Sequence, residues 1–79
     1  MKNMESLKKL NRGQKAVIAR LESADDIRRR LQDMGLIEGT SVECVGKSPL
    51  GDPAAYLVRG AVIALRSQES DRIFIRYAE

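Results

Sequence analysis

The run from Arg28 to Thr40, "RRRLQDMGLIEGT", continued by "SVECVGKSPLGDP" to Pro53, decides how the chain folds. Ile27, Leu31 and Met34 fall at i, i+4 and i+7, so the segment reads as the end of a short amphipathic helix with one apolar face. Gly35 is placed to stop that helix in the left-handed conformation that other residues avoid. After a second turn at Glu38-Gly39, Val42 and Cys44 alternate with Ser41 and Glu43, the pattern of a half-buried strand over Thr40 to Gly46. The strand opens into Lys47 to Pro53, a turn by composition. Pro49 fixes one φ angle, Gly51 permits a positive one, and Pro53 blocks early strand pairing.

Upstream, Ser23 is the expected N-cap with Asp26 three residues on, close to a capping box, and Asp25 and Asp26 suit the positive end of the helix dipole. The helix therefore spans about Ala24 to Met34, with Asp25–Arg29 and Asp26–Arg30 as i,i+4 pairs on its exposed side. Lys15 to Leu21 is β-branched and apolar enough for a strand, although Val17, Ile18 and Ala19 in succession blur its alternation. Before it, Ser6 to Leu10 offers a short helical turn that Asn11-Arg12-Gly13 breaks, and Met1 to Glu5 carries no pattern and is expected to fray. Beyond the loop, Ala54 to Arg59, Ala61 to Arg66 and Ile73 to Tyr77 read as three more strands, split by Gly60 and by the polar turn Ser67 to Arg72. Five short strands with one helix inserted after the first make a mainly β domain, a small bent antiparallel sheet or partly open barrel. The pattern leaves SH3-like and OB-like barrels equally open.

A chain of 79 residues forms one domain, residues 1–79, and buries only roughly 60% of its unfolded surface. Its 43% hydrophobic and 32% charged content is that of a soluble globular domain, which sets disorder aside. No apolar run approaches the ~18 residues that cross a bilayer, and "MKNMESLKKL" lacks the apolar core of a signal peptide, so a cytoplasmic protein without membrane insertion is expected. A lone Cys44 has no internal disulfide partner and reads as a small core residue.

Histidine is absent and Cys44 has no second thiol beside it, so the nitrogen and sulfur ligands of transition-metal sites are missing and neither metal nor cofactor is expected. The same absence removes the commonest general base for a Ser or Cys nucleophile, and no phosphate-cradling glycine motif ends in Lys-Ser/Thr, so no catalytic residue is assigned. A net charge of +3 permits contact with nucleic acid, but aromatics are only 4% of the chain and a module that stacks bases needs more, so nucleic acid is an unlikely ligand. Phe74, Tyr56 and Tyr77 are the complete aromatic set and are expected in the core or at the sheet rim.

Taken together, "SLKKLNRGQKAVIARL" (Ser6 to Leu21), the Arg-Leu-x-x-Met-Gly-Leu-Ile-x-Gly-Thr order from Arg30 to Thr40, the Pro49 to Pro53 run and "VRGAVIALRSQESDRIFI" (Val58 to Ile75) resemble the FeoA family. These are small cytosolic accessory proteins of bacterial ferrous-iron uptake. The resemblance implies a small SH3-like antiparallel β-barrel of about five strands with one inserted α-helix. It also implies a non-enzymatic protein that binds and modulates the FeoB membrane transporter through that partner's cytosolic GTPase region. Ser70 departs from the alanine the family often carries before the last strand, which touches local packing only. The alternative is a regulatory SH3-like module similar to the C-terminal domain of metal-dependent repressors of the diphtheria-toxin-repressor type, or a nucleic-acid-associated module. The former would bring a helix-turn-helix segment and metal ligands.

The candidate partner-binding residues are Pro49, Leu50, Gly51, Asp52 and Pro53 of the loop, with Arg30, Arg59 and Arg66. Leu50 is an apolar side chain at the tip of a rigid polar turn, where folding gains little from it and a partner's pocket could take it. Arg28, Arg29 and Arg30 fan over about 200° of a helix surface and read first as a solvated face. Arg59 and Arg66, among apolar strand residues, read equally as cover for a core edge and as partner contacts. A sheet this small leaves a strand edge on which a weak homodimer could form.

Overall fold

The computed structural model describes Met4 to Tyr77. Six strands rather than five form a single antiparallel sheet: β1 (Glu5–Ser6), β2 (Lys15–Leu21), β3 (Ser41–Lys47), β4 (Ala54–Val58), β5 (Ala61–Leu65) and β6 (Ile73–Tyr77), in the order β1-β6-β2-β3-β4-β5. The extra strand is β1, where Glu5 pairs with Ile75 and Ser6 with Phe74. A two-residue strand carries no alternation to read, so the expected fraying gives way to pairing at Glu5, while Met1 to Asn3 lie outside the described residues. Among the described residues β1 and β5 share no pairing, so the sheet curls without closing.

Two bulges supply the curl. The register of β2 against β6 shifts between Ile18 and Arg20, and that of β3 against β4 between Cys44 and Gly46. An extra residue in one strand bends it and sharpens its twist. The first bulge also explains the blurred alternation of β2: Ala16 and Ile18 face the core, and the next core residue is Leu21 rather than Arg20. The core formed inside the curl comprises Leu7, Leu10, Ile18, Leu31, Leu36, Val42, Cys44, Tyr56, Val58, Leu65, Ile73, Ile75 and their neighbours, all buried.

Helix α1 (Asp25–Asp33) starts one residue later than Ser23 would set it. Ala24 is the cap and makes no side-chain bond; Asp26 meets a free donor from inside the first turn, accepting from the Ile27 N–H at 2.9 Å. The far end is as expected and more specific. Gly35, at φ +104°, donates its N–H to the Gln32 carbonyl at 2.9 Å, and the Leu36 N–H reaches back to the Leu31 carbonyl at 3.0 Å. This double bond pattern is a Schellman motif, which joins an apolar residue before the glycine to one after it. Leu31 and Leu36 are those residues, both fully buried. The Arg-Leu-x-x-Met-Gly-Leu run is thus a folding instruction that locks the helix end into the core. Of the apolar face expected for the helix, only Leu31 is fully buried; Met34 packs at the margin, and Ile27 is exposed.

The polar turn after β5 contains a short helix, α2 (Ser67–Ser70). Ser70 is buried and its hydroxyl donates back to the Ser67 and Arg66 carbonyls at 3.3 and 3.4 Å, which is how a serine is tolerated where an alanine would need no partner.

Candidate functional site

The loop between β3 and β4 is built by its own backbone. Gly51 N–H donates to the Ser48 carbonyl at 2.8 Å, closing a four-residue turn with Pro49 at its second position, and Ser48 N–H donates to the Pro53 carbonyl at 3.1 Å across the base. Leu50 keeps a negative φ while Gly51 sits at +84°, which makes this a type I turn with glycine in last place. Leu50 at the third position is 94% exposed, the most exposed large apolar side chain among the described residues.

Asp52 then ties this turn to the rest of the molecule. Its carboxylate accepts from the Ser67 backbone N–H at 2.9 Å and from the Ser67 hydroxyl at 3.1 Å. One residue earlier, the Arg66 N–H donates to Glu69 at 3.0 Å, and the other oxygen of Glu69 takes an ion pair from Arg30. Loop, α2 and α1 are therefore linked in series: Asp52 to Ser67, Arg66 to Glu69, Glu69 to Arg30. Partial burial pushes the Glu69 carboxyl up, but the Arg30 guanidinium and the Arg66 N–H outweigh it and hold the group below its ordinary value of 4.5. Between α1 and α2 a cleft of about 500 Å³ is lined by Ala24, Ile27, Arg30, Gln68, Glu69 and Arg72.

The structure thus brings Asp52, Arg66 and Arg30 together with the Leu50 turn. Arg30 leaves its expected partner Asp26 for Glu69, because a cross-element carboxylate held by a backbone N–H is better placed than one engaged with its own helix end. On the same helix Arg28 pairs with Asp25 at 2.8 Å, an i,i+3 contact in place of the expected Asp25–Arg29. Arg59 lies apart from the other candidates. It is the first residue of a two-residue turn joining β4 to β5, at φ +53° with Gly60 at +84°, and its stem lies across Gly35, where an added Cβ would meet Arg59 Cδ and Val58 Cγ1 at 3.3 Å. Ser67 and Glu69 were not singled out from the sequence, although a glutamate three residues after the cap of a helix is a recognisable signal.

Among the described residues no group of three or more His, Cys, Asp or Glu side chains comes together, and Cys44 is buried and unpaired. Among the described residues no helix is long and apolar enough to cross a membrane. Tyr56 is buried in the core and Tyr77 is at the rim, and Arg20 stacks on Phe74 at 5.9 Å from the ring centre.

With this geometry established, comparison with known proteins is informative. The sequence model of the FeoA domain matches residues 5–77. A Porphyromonas gingivalis protein, an Fe(2+) transport protein A/Fe(2+) transporter FeoB fusion, is 33% identical over 67 residues, covering 85% of this chain; the chain spans only 8% of that protein's length. The solution structure of a FeoA-like protein from Clostridium acetobutylicum superposes with a TM-score of 0.89 at 29% identity, over 100% of this chain and 92% of that one. The crystal structure of Stenotrophomonas maltophilia FeoA complexed with zinc, described as a prokaryotic SH3 domain protein, gives 0.73 at 32% identity, over 89% of this chain and 87% of the other. The architecture is therefore the SH3-like one, in an open form.

Proposed function

We infer the role of this chain from kinship and surface together: it belongs to the FeoA domain family, and ferrous iron transport is the process it serves. We propose that it is a non-enzymatic, cytoplasmic accessory protein that binds a FeoB-type transporter at its cytosolic GTPase region. One observation carries this reading, the likeness to a protein in which an A segment and a FeoB segment share one chain. Two functions joined covalently in one organism are commonly in contact as separate chains in another. The contact surface proposed is the Leu50 turn with Asp52, Arg66 and Arg30. It offers what a protein interface needs, a protruding apolar anchor beside a polar rim whose geometry is already fixed.

The test is titration calorimetry of this protein against the purified cytosolic domain of the FeoB-type transporter from the same cell. Saturable one-to-one binding is the expected result. Absence of binding at both low and high salt would refute the proposal.

A further inference from the structure

The tip of the β3–β4 hairpin is tethered to the body of the molecule at one place. The strands pair as far as Lys47–Ala54, and the two backbone bonds beyond that pair, Gly51 to Ser48 and Ser48 to Pro53, are internal to residues 48–53. They fix the shape of the turn and leave its direction free. Among the described residues, the only hydrogen bonds from 48–53 to the rest of the molecule are the two that the Asp52 carboxylate accepts from Ser67, at 2.9 Å from the N–H and 3.1 Å from the hydroxyl. No ion pair adds to them. At the base of the hairpin the register slips between Cys44 and Gly46, where a strand bends, and an added Cβ on Gly46 would meet no atom within 4 Å.

Ser67 is a fixed post. It opens α2, whose last residue, Ser70, is buried; the Ser6 hydroxyl donates to the Ser70 carbonyl at 3.2 Å, and the Asp71 N–H donates to the Ser67 carbonyl at 2.8 Å. Arg66, just before the helix, has no side-chain acceptor to offer its free N–H groups, so Asp52, 15 residues earlier, supplies one from another element. One Asp52 oxygen takes the Ser67 N–H and the other the hydroxyl, so both are engaged within the molecule. We propose that Asp52 and Ser67 are positioning residues of the contact surface: together they hold the Leu50 turn against α2 in the direction from which a partner meets it, and Asp52 does this as a hydrogen-bond acceptor rather than as a charge for the partner to read. The inference rests on the Leu50 turn being the transporter contact. A tip that spends about one-tenth of its time in the held direction binds about tenfold more weakly.

Three variants of the intact protein test this. Asp52→Ala removes the acceptor. Asp52→Asn removes only the charge, since its amide oxygen accepts from the Ser67 N–H, its amino group donates to the Ser67 hydroxyl, and asparagine ranks with aspartate as a cap. Ser67→Pro removes the N–H and hydroxyl together while suiting the helix: proline is favoured at the first helical position, and Arg66, at φ −73° and ψ 154°, already has the extended conformation proline imposes on its predecessor. Each is melted, examined by backbone amide relaxation at Leu50 and Gly51 without partner, and titrated by calorimetry against the purified cytosolic domain of the FeoB-type transporter. Asp52→Ala and Ser67→Pro should stay folded, loosen the tip and weaken binding about tenfold, and the double variant should bind no more weakly than either single one. Asp52→Asn should restore the rigid tip and most of the affinity. If the parent binds, the positioning role is overturned when Asp52→Ala keeps a rigid tip or binds equally well, or when Asp52→Asn binds as weakly as Asp52→Ala. A parent that does not bind refutes the proposed function and this inference with it, even where the tip loosens as expected. Should Ser67→Pro fail to fold, the two Asp52 variants decide.

Discussion

Leu50→Asp separates a partner anchor from a folding residue. At 94% exposure Leu50 contributes almost no buried area to the fold, and its turn is held by the Ser48–Gly51, Ser48–Pro53 and Asp52–Ser67 bonds, none of which uses the Leu50 side chain. The substitution should shift stability by no more than about 0.5 kcal/mol. In a complex the balance reverses. Full burial of a leucine stabilises by about 1.5–3 kcal/mol, and a charge in its place in a dry pocket forfeits that gain, so a loss of about 2 kcal/mol or more, roughly thirtyfold in affinity, is expected. Leu31→Asp is the contrast. Leu31 is fully buried at the Schellman end of α1, and truncation alone at such a site costs about 2–5 kcal/mol before the unpaired carboxylate is counted. A domain with a total stability of about 4–12 kcal/mol for its length should not survive it. The assay is thermal melting by circular dichroism for both variants, then calorimetry of Leu50→Asp against the transporter's cytosolic domain. If Leu50→Asp melts like Leu31→Asp, or binds like the parent, the anchor assignment is wrong.

Glu69→Gln should cost less than about 1 kcal/mol at neutral pH, since Arg30 is largely exposed, and urea melts should show the cost vanishing in acid. The sign follows from the lowered Glu69 value: its stabilising contribution is present above 4.5 and disappears as pH falls through the folded-state value. An acid-independent difference would contradict the Arg30–Glu69 account. Tyr56 behaves oppositely: burial, with Cys44 adding, pushes its phenol above 10.0, so stability is intact below that pH and falls above it. Tyr56→Phe should flatten the alkaline loss in melting curves, with phenolate absorbance showing Tyr56 ionising only as the fold opens. Gly35→Ala faces a left-handed φ and two contacts at 3.3 Å, so a loss of at least about 1–2 kcal/mol is expected, and an unchanged melting temperature would refute that reading. Anaerobic calorimetry with ferrous iron should detect no site tighter than a generic acidic surface; a stoichiometric micromolar site would contradict the ligand argument.

The elements that sequence reading located well are those encoded within one turn of chain. The helix end at Gly35, the turns at Gly39 and Gly51 and the strand alternation of β3 depend on neighbours a few residues away, and all are found where expected. What escaped depends on distant partners. β1 exists because Ile75 and Phe74 offer it an edge, and Arg30 chooses Glu69, 39 residues away, over a carboxylate on its own helix. At Ser23 a plausible cap lost to an aspartate inside the helix, a local competition that composition alone does not rank. The site was half legible. Leu50 stood out as apolar in a polar turn, whereas the Asp52–Ser67 link that rigidifies it joins residues whose proximity only the sheet creates. Likewise Arg59 drew attention as a charge among apolar residues, and the lie of its stem across Gly35 needed the fold.

The pairing of Glu5 with Ile75 has a topological corollary. It brings the first and last strands side by side at the sheet margin opposite β5, so a chain entering the domain and a chain leaving it share one corner. A bridge of a few residues between them would close only a short loop, at small entropic cost. The domain is therefore suited to circular permutation and to insertion within a host loop as well as end-to-end fusion. In each case the tether would emerge far from β5 along the sheet and leave that edge accessible.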